Sequence, residues 1–467
     1  MFINNSLCAS EITDHWMEIY AQSDKDKKAI GFTHTVIKQD EAKISIYDES
    51  KLNIKVFNHT DEVINKSNYF IENGQLKSFD YVVKSSDQNY KLVGFSKNGK
   101  LTINAAKSEN SNNIEFNIDI DKDYIVTSYI PKWLSNGRLI SGTNHKFYLF
   151  DPLLIISDFS KDKLLAELNV LEKEKVITQS KTYQAYKVKI KFLEAETFFW
   201  ITEDGYKIKE FIPPDFVAIK STKDIVSKLP KEVYDISSKT SIKSNVKIGK
   251  PRETKYLKFS LKQLDKDEFY DSELFIVDNY SQYYNKGFYE VKVDSFEKQS
   301  PGNYKLKNNY QNYLLPTNFV QSEDKKIIDT MRSITSKSEN KLDGINRINN
   351  WVYDNVVKKP AFGVPNALDV LDSRQGDCNE HAVLFAALSR AYEIPTKIVL
   401  GLVYLDEKFY YHAWNEVFIG KWITVDSSFG QFPADATHIK LLEGSIGKGA
   451  ELVKIVGKLN IEILEVY

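Results

Sequence analysis

Cys378 stands in the run Gly376-Asp377-Cys378-Asn379-Glu380-His381, and the residues around it decide what its sulfur can do. Asp377, followed three residues on by Glu380, fits a capping box with Asp377 at the N-cap and Glu380 at N3. Cys378 then occupies the first turn of a helix, where unpaired N–H groups and the helix dipole favour an anion. A depressed thiol pKa and a populated thiolate are expected there, with the Cys378 N–H as one donor to a developing oxyanion. A thiolate by itself is a metal ligand or a redox group, so its partners matter. Two present themselves. His412 lies in the strand-like Phe409-Tyr410-Tyr411-His412-Ala413-Trp414-Asn415-Glu416-Val417, and Asp426 ends the next one, Lys421-Trp422-Ile423-Thr424-Val425-Asp426.

The register between these strands decides whether the two side chains meet. A two-residue turn at Gly420-Lys421 would pair Asn415 with Asp426 and set His412 and Asp426 on opposite faces. An odd-length connection or a bulge returns them to one face. A three-residue connection or a β-bulge between Phe418 and Thr424 is therefore expected.

Around these residues the apolar pattern changes character along the chain. After Pro316, helical stripes run over Glu323–Thr335, Leu342–Val357 and Asn366–Asp372. The helix opened by Cys378 runs to about Tyr392, barred from continuing by Pro395. Strands follow at Lys397–Leu405, Phe409–Ile419 and Trp422–Asp426, making an α+β domain. Upstream, from about Trp16 to Leu229, short alternating segments such as Lys43–Tyr47 and Tyr186–Ile190 read as half-buried strands. Glu72-Asn73-Gly74, Lys97-Asn98-Gly99 and Ser135-Asn136-Gly137 separate them as turns, and Thr202-Glu203-Asp204-Gly205 closes a hairpin. Pro152–Ile156 and a helix-like Lys161–Glu167 mark a boundary, the Ser- and Lys-rich Ser238–Thr254 another. Five segments are expected: a start at 1–15, β-rich domains at 16–150 and 151–240, a small β-rich module at 241–315, and a final domain at 316–467.

Three blocks together, Gly376-Asp377-Cys378-Asn379-Glu380-His381-Ala382, His412-Ala413-Trp414-Asn415-Glu416-Val417 and Trp422-Ile423-Thr424-Val425-Asp426-Ser427-Ser428-Phe429-Gly430-Gln431, resemble the bacterial transglutaminase-like superfamily in order and spacing. The resemblance covers about the last third of the chain. It implies a papain-like core for this last domain, so that a multidomain protein is expected whose β-rich antiparallel N-terminal region, read from the alternating segments, precedes an α+β, papain-like domain. It also implies that Cys378 attacks a carboxamide or peptide carbonyl, that His412 takes and returns the proton, and that Asp426 holds the imidazole. Such a mechanism requires no cofactor, and its partner is a protein or peptide substrate. Asn366 and Trp351 are candidates for a second, upstream oxyanion donor, and Trp414 borders the site as support. Three positions depart from the family's habit: Glu393 where Gly is common, Lys397 where Arg is frequent, and Ser427 where Pro is frequent. Without Gly at 393 a different helix ending is expected. The β-rich front is faintly similar to envelope-associated bacterial modules, through Trp200–Gly205 and the start near Trp16.

Other classes are disfavoured. A net charge of -1 over 467 residues does not build the basic face that nucleic acid needs. No apolar run approaches the ~20 residues of a membrane-spanning helix. Cys8 and Cys378 imply no disulfide framework. Small residues in Ser6-Leu7-Cys8-Ala9-Ser10 suit a signal-peptidase site but lack the preceding basic and apolar regions; export to the periplasm or envelope is expected from them, a cytoplasmic location otherwise. A free Cys is ordinarily a small buried hydrophobe, and here the helix position and two partner blocks weigh against that. His381, one turn after Cys378, reads as a packed or surface residue. His15, His34, His59, His145 and His438 have no Cys, Asp or His at ligand spacing, so no metal site is expected. Asp119, Asp121 and Asp123 match the start of a calcium loop, which then fails at Tyr124 and Ile130. Two functions remain: a thiol-dependent acyl-transfer enzyme, hydrolytic rather than cross-linking, and a binding or assembly protein that keeps the last domain as a scaffold.

Overall fold

The computed structural model describes residues 11–21, 28–57, 59–86, 89–106, 114–119, 124–156, 164–178, 181–193, 195–212, 215–229, 232–263, 280–293, 308–361, 365–444, 449, 452 and 455–467. The signal-like Ser6–Ser10, most of the charged stretch from Ser23, and Asp121 and Asp123 lie outside them. The chain divides into two compact units, Met1–Ile236 and Ser237–Tyr467.

The first unit is built on one large sheet. Strands β1 (Glu11–Ala21), β2 (Ala29–Asp40), β3 (Lys43–Val56), β4 (His59–Glu72), β5 (Gln75–Lys84), β6 (Asn89–Lys97), β7 (Lys100–Ala106) and β8 (Ile114–Asp119) form an antiparallel meander. Next come β9 (Tyr124–Val126), helix α1 (Ile130–Ser135), β10 (Asn144–Phe150) and helix α2 (Pro152–Ile156). Strands β11 (Leu165–Ile177), β12 (Thr182–Phe192), β13 (Ala195–Ile201), β14 (Lys207–Ile212) and β15 (Phe216–Ser221) continue the meander. It returns on itself, because β15 pairs antiparallel with β1, Trp16 opposite Ser221. Helix α3 (Lys223–Val226) and β16 (Tyr234–Asp235) end this part, the latter parallel to β3.

Local chemistry explains the turns. Asn73-Gly74 and Asn98-Gly99 both take positive φ, the type I′ geometry that matches strand twist. Ser135-Asn136-Gly137 instead ends α1, with Gly137 at φ 80 beyond the last turn. Of the helix-like Lys161–Glu167, Leu165–Glu167 open β11, whose Ala166, Leu168 and Val170 are buried on alternate positions. The expected division at residue 150 is not a structural boundary: β10 pairs with both β9 and β11, so the sheet runs across it.

In the second unit, helix α4 (Ile236–Thr240) leads to β17 (Ile242–Lys243), β18 (Tyr256–Gln263), β19 (Gln282–Asn285) and β20 (Phe288–Lys292). Helices α5 (Lys325–Thr335) and α6 (Lys341–Asn355), β21 (Val357–Lys358), α7 (Ala367–Ser373), β22 (Gln375–Gly376) and α8 (Cys378–Ala391) follow. Then come β23 (Thr396–Leu405), β24 (Lys408–Phe418), β25 (Trp422–Val425), β26 (Ile439–Glu443) and β27 (Leu459–Val466). One sheet runs β17-β24-β23-β26 with β25 on β24, and a second runs β19-β20-β18-β27. Helix α8 is the hub: every residue from Glu380 to Ser389 is buried, with α5, α6 and α7 around it and β23 and β24 against it. Strand β23 is buried from Thr396 to Tyr404, as a strand covered on both faces must be. Leu257 and Phe259 of β18 share one core with Phe385 of α8 and Ile461 of β27. Strands β17, β18 and β20 therefore belong to the same core as α8 rather than to a separate module at 241–315.

Candidate active site

Asp377 caps α8 as its sequence predicts. Its side chain accepts from the Asn379 N–H at 2.7 Å, and Glu380 Oε2 accepts from the Asp377 N–H at 3.0 Å. A side chain on Gly376 would collide with Glu380 Cβ, so only glycine lets that carboxylate fold back. Cys378 is the first residue of the helix and half-buried. The backbone N–H of Ala413, the strand residue next to His412, favours the charged form of its sulfur.

The connection between β24 and β25 has three residues, Ile419-Gly420-Lys421, because Phe418 pairs with Trp422 and Asn415 with Val425. Gly420 takes φ 78 in it. This register sets His412 and Asp426 on one face, and His412 Nε2 lies 2.8 Å from Asp426 Oδ2. Asp426 is fully buried, and its other oxygen, Oδ1, accepts from the Ser428 N–H (2.8 Å), Ser428 Oγ (2.7 Å) and the Phe429 N–H (3.1 Å). The turn carrying these donors is closed by mutual backbone bonds between Asp426 and Gln431. Burial alone would push the Asp426 carboxyl up, but His412 and His438 together hold it well below the usual carboxylate range. With Nε2 directed at Asp426, His412 keeps Nδ1 without a hydrogen bond among the described residues, the atom a base needs for the thiol.

The thiol itself departs from expectation. Burial pushes it above the ordinary thiol range, the carboxylates of Asp377, Asp426 and Glu380 add to this, and the Ala413 N–H opposes. These effects act against the helix N-terminus, which favours the anion.

Trp414 is buried at 1% exposure, its ring roughly parallel to that of His412 at 6.2 Å between centroids. It packs beside the His412 ring from inside the core. Asn366 is buried as the N-cap of α7, with Oδ1 accepting from the Asp369 N–H and Nδ2 donating to Asp369 Oδ2. One Nδ2 hydrogen and Oδ1 are engaged in capping α7. Trp351 is half-buried, with the Arg374 guanidinium 4.4 Å from its ring centroid. His381 is packed, both ring nitrogens near backbone oxygens of Asp377 and Val356. Glu393 takes the left-handed conformation (φ 62) despite its side chain, and Ile394 N–H reaches back to Ser389 O, so α8 ends as a glycine-capped helix does.

One residue escaped the sequence reading. His438, 1% exposed, places Nε2 2.9 Å from Asp426 Oδ2, the same oxygen that His412 addresses. Its Nδ1 donates to the backbone oxygen of Asp435 at 3.0 Å. His412, Asp426 and His438 thus gather ligand-type atoms within 4.8 Å of one another, which linear spacing could not reveal. Each imidazole Nε2 already points at one carboxylate oxygen, an arrangement of two N–H donors on an acceptor.

The family model of the transglutaminase-like superfamily matches residues 328–427, the stretch from α5 to the end of β25 and Asp426. No curated protein sequence matches the chain. A candidate cysteine protease from Cytophaga hutchinsonii is similar in structure over 46% of this chain and 87% of its own, at 19% identity and TM-score 0.30. A candidate protease from Parabacteroides distasonis is similar over 77% of this chain and 69% of its own, at 10% identity and TM-score 0.22. The chain therefore carries, at residues 328–427, a transglutaminase-like superfamily domain.

Proposed function

We propose that this protein is a thiol-dependent enzyme that cleaves amide bonds in proteins or peptides through Cys378, His412 and Asp426. Cys378 Sγ attacks the carbonyl carbon while its proton passes to His412 Nδ1, and the carbonyl oxygen becomes an oxyanion facing the N–H groups at the start of α8. Collapse of the tetrahedral intermediate breaks the C–N bond, and His412 gives its proton to the departing amine. Water, deprotonated by His412, then attacks the thioester, releasing a carboxylic acid and restoring the thiol. Hydrolysis is preferred over cross-linking because water is the default acceptor of an acyl-enzyme.

The observation that supports this reading is the register of β24 against β25, which brings His412 within 2.8 Å of Asp426. Labelling of Cys378 by iodoacetamide at pH 7, in the intact protein and in His412→Ala, tests it. Removing the base leaves a thiol whose burial holds it protonated, so labelling is expected to fall at least about tenfold. Equal rates in the two proteins would sink the triad and put the binding-protein function first.

A further inference from the structure

We infer that His438 is a positioning residue for the reaction proposed above: it holds the Asp426 carboxylate in the orientation that directs Nε2 of His412 to it, and it shares that carboxylate's charge with His412. The inference rests on the triad and adds a fourth group to it.

Geometry carries the first half. Asp426 Oδ2 receives both His412 Nε2 at 2.8 Å and His438 Nε2 at 2.9 Å, while Oδ1 is held by Ser428 and Phe429. His438 is fixed in turn by the Asp435 backbone oxygen at 3.0 Å and lies 3.6 Å from the Asp435 carboxylate. Arg252 reaches that carboxylate at 3.0 Å, donates to Tyr404 O, and lies 4.4 Å from the Phe429 ring centroid. Phe429 stacks on His412 at 5.2 Å, which closes a loop of contacts back to the base.

Charge carries the second half. The groups facing His438 are Asp426 at the end of β25, Asp435 on its own segment, His412 at 5.9 Å between ring centroids, and the Trp414 and Phe429 rings. Lys292 of β20, Glu416 of β24 and Lys440 of β26 line the same cleft. Burial would lower His438, yet Asp435 and then Asp426 push it up to about 9, so it is an imidazolium at neutral pH. A cation on Asp426 Oδ2 reduces what that carboxylate offers a second cation. His438 therefore competes with a protonated His412 for the charge of Asp426.

The experiment is the pH profile of Cys378 labelling by iodoacetamide in intact protein, His438→Gln and His438→Leu, with His412→Ala alongside. Gln keeps an N–H donor for Asp426 and removes the cation, and loss of a positive charge raises the proton affinity of the groups around it, so the labelling midpoint is expected to move up by about half to one pH unit. Leu removes the donor as well, and labelling at pH 7 should fall at least about tenfold. Unmoved midpoint and rate in both variants, with only thermal stability lost, would overturn the inference and leave the triad standing. Labelling indifferent to His412 would overturn the triad and this inference together. Histidine side-chain nitrogen NMR of the intact protein reads the same claim without a variant: His438 doubly protonated at pH 7.5 supports it, and a neutral His438 overturns it.

Discussion

At the scale of single residues, the site depends on what is missing from a side chain as much as on what is present. Gly401 of β23 faces Trp414, and a Cβ there would lie 2.1 Å from the Ile439 backbone oxygen and 2.5 Å from the indole. Neither atom belongs to a flexible chain end, so strand and indole must both shift. Gly401→Ala is expected to cost about 1–3 kcal/mol by overpacking and to slow Cys378 labelling, since the displaced indole is the one behind His412. Chemical denaturation and the labelling rate read the two effects, and a variant with unchanged stability would refute the first. The place of Cys378 at the start of α8 and the cap ahead of it were legible in the sequence because capping is decided within four residues. The state of the thiol was not, because burial and the carboxylates of Asp426 and Glu380 act through space. His438 was invisible for the same reason: only the turn after Asp426 brings it back to that carboxylate.

At the scale of elements, chain punctuation did most of the work. Helices α5 to α8 and strands β23 to β25 lie within two residues of where apolar spacing and the breakers put them, and the odd-length connection was required by chemistry before it was seen. The misreadings came where one signal serves two structures. Asn136-Gly137 ends a helix as readily as it turns a hairpin, and the short apolar run near residue 165 fits either period. The end of α8 is the most testable element. Glu393 holds a left-handed conformation that costs a side chain about 1 kcal/mol, while its contact with Lys341 at 3.5 Å is an exposed pair of little worth. Glu393→Gly is expected to raise the melting temperature by about 2–4 °C. A drop on calorimetry would show that the Glu393 side chain is itself a necessary contact.

At the scale of the whole molecule, the domain recognised by family likeness is smaller than the body that folds. Leu257, Phe259 and Leu261 of β18 are buried in the same core as Ile461 and Ile463 of β27, and Arg252 secures Asp435 beneath the site. A chain cut to residues 237–467 is expected to fold and to keep its Cys378 labelling. One cut to 316–467 loses those anchors and should lack a cooperative transition by circular dichroism; native-like labelling from it would disprove the dependence. The sequence divided this part at residue 315 because pairing between β18 and β27 leaves no trace in local composition. The large sheet of the first unit has a consequence of a different kind. Nearly every strand bonds its neighbour in sequence and can pair as it emerges from the ribosome, but the free edge of β1 waits for β15, roughly 200 residues later. At about 5–20 residues per second, that edge stays open for roughly 10–40 s of synthesis, long enough for a chaperone or another nascent chain to claim it first.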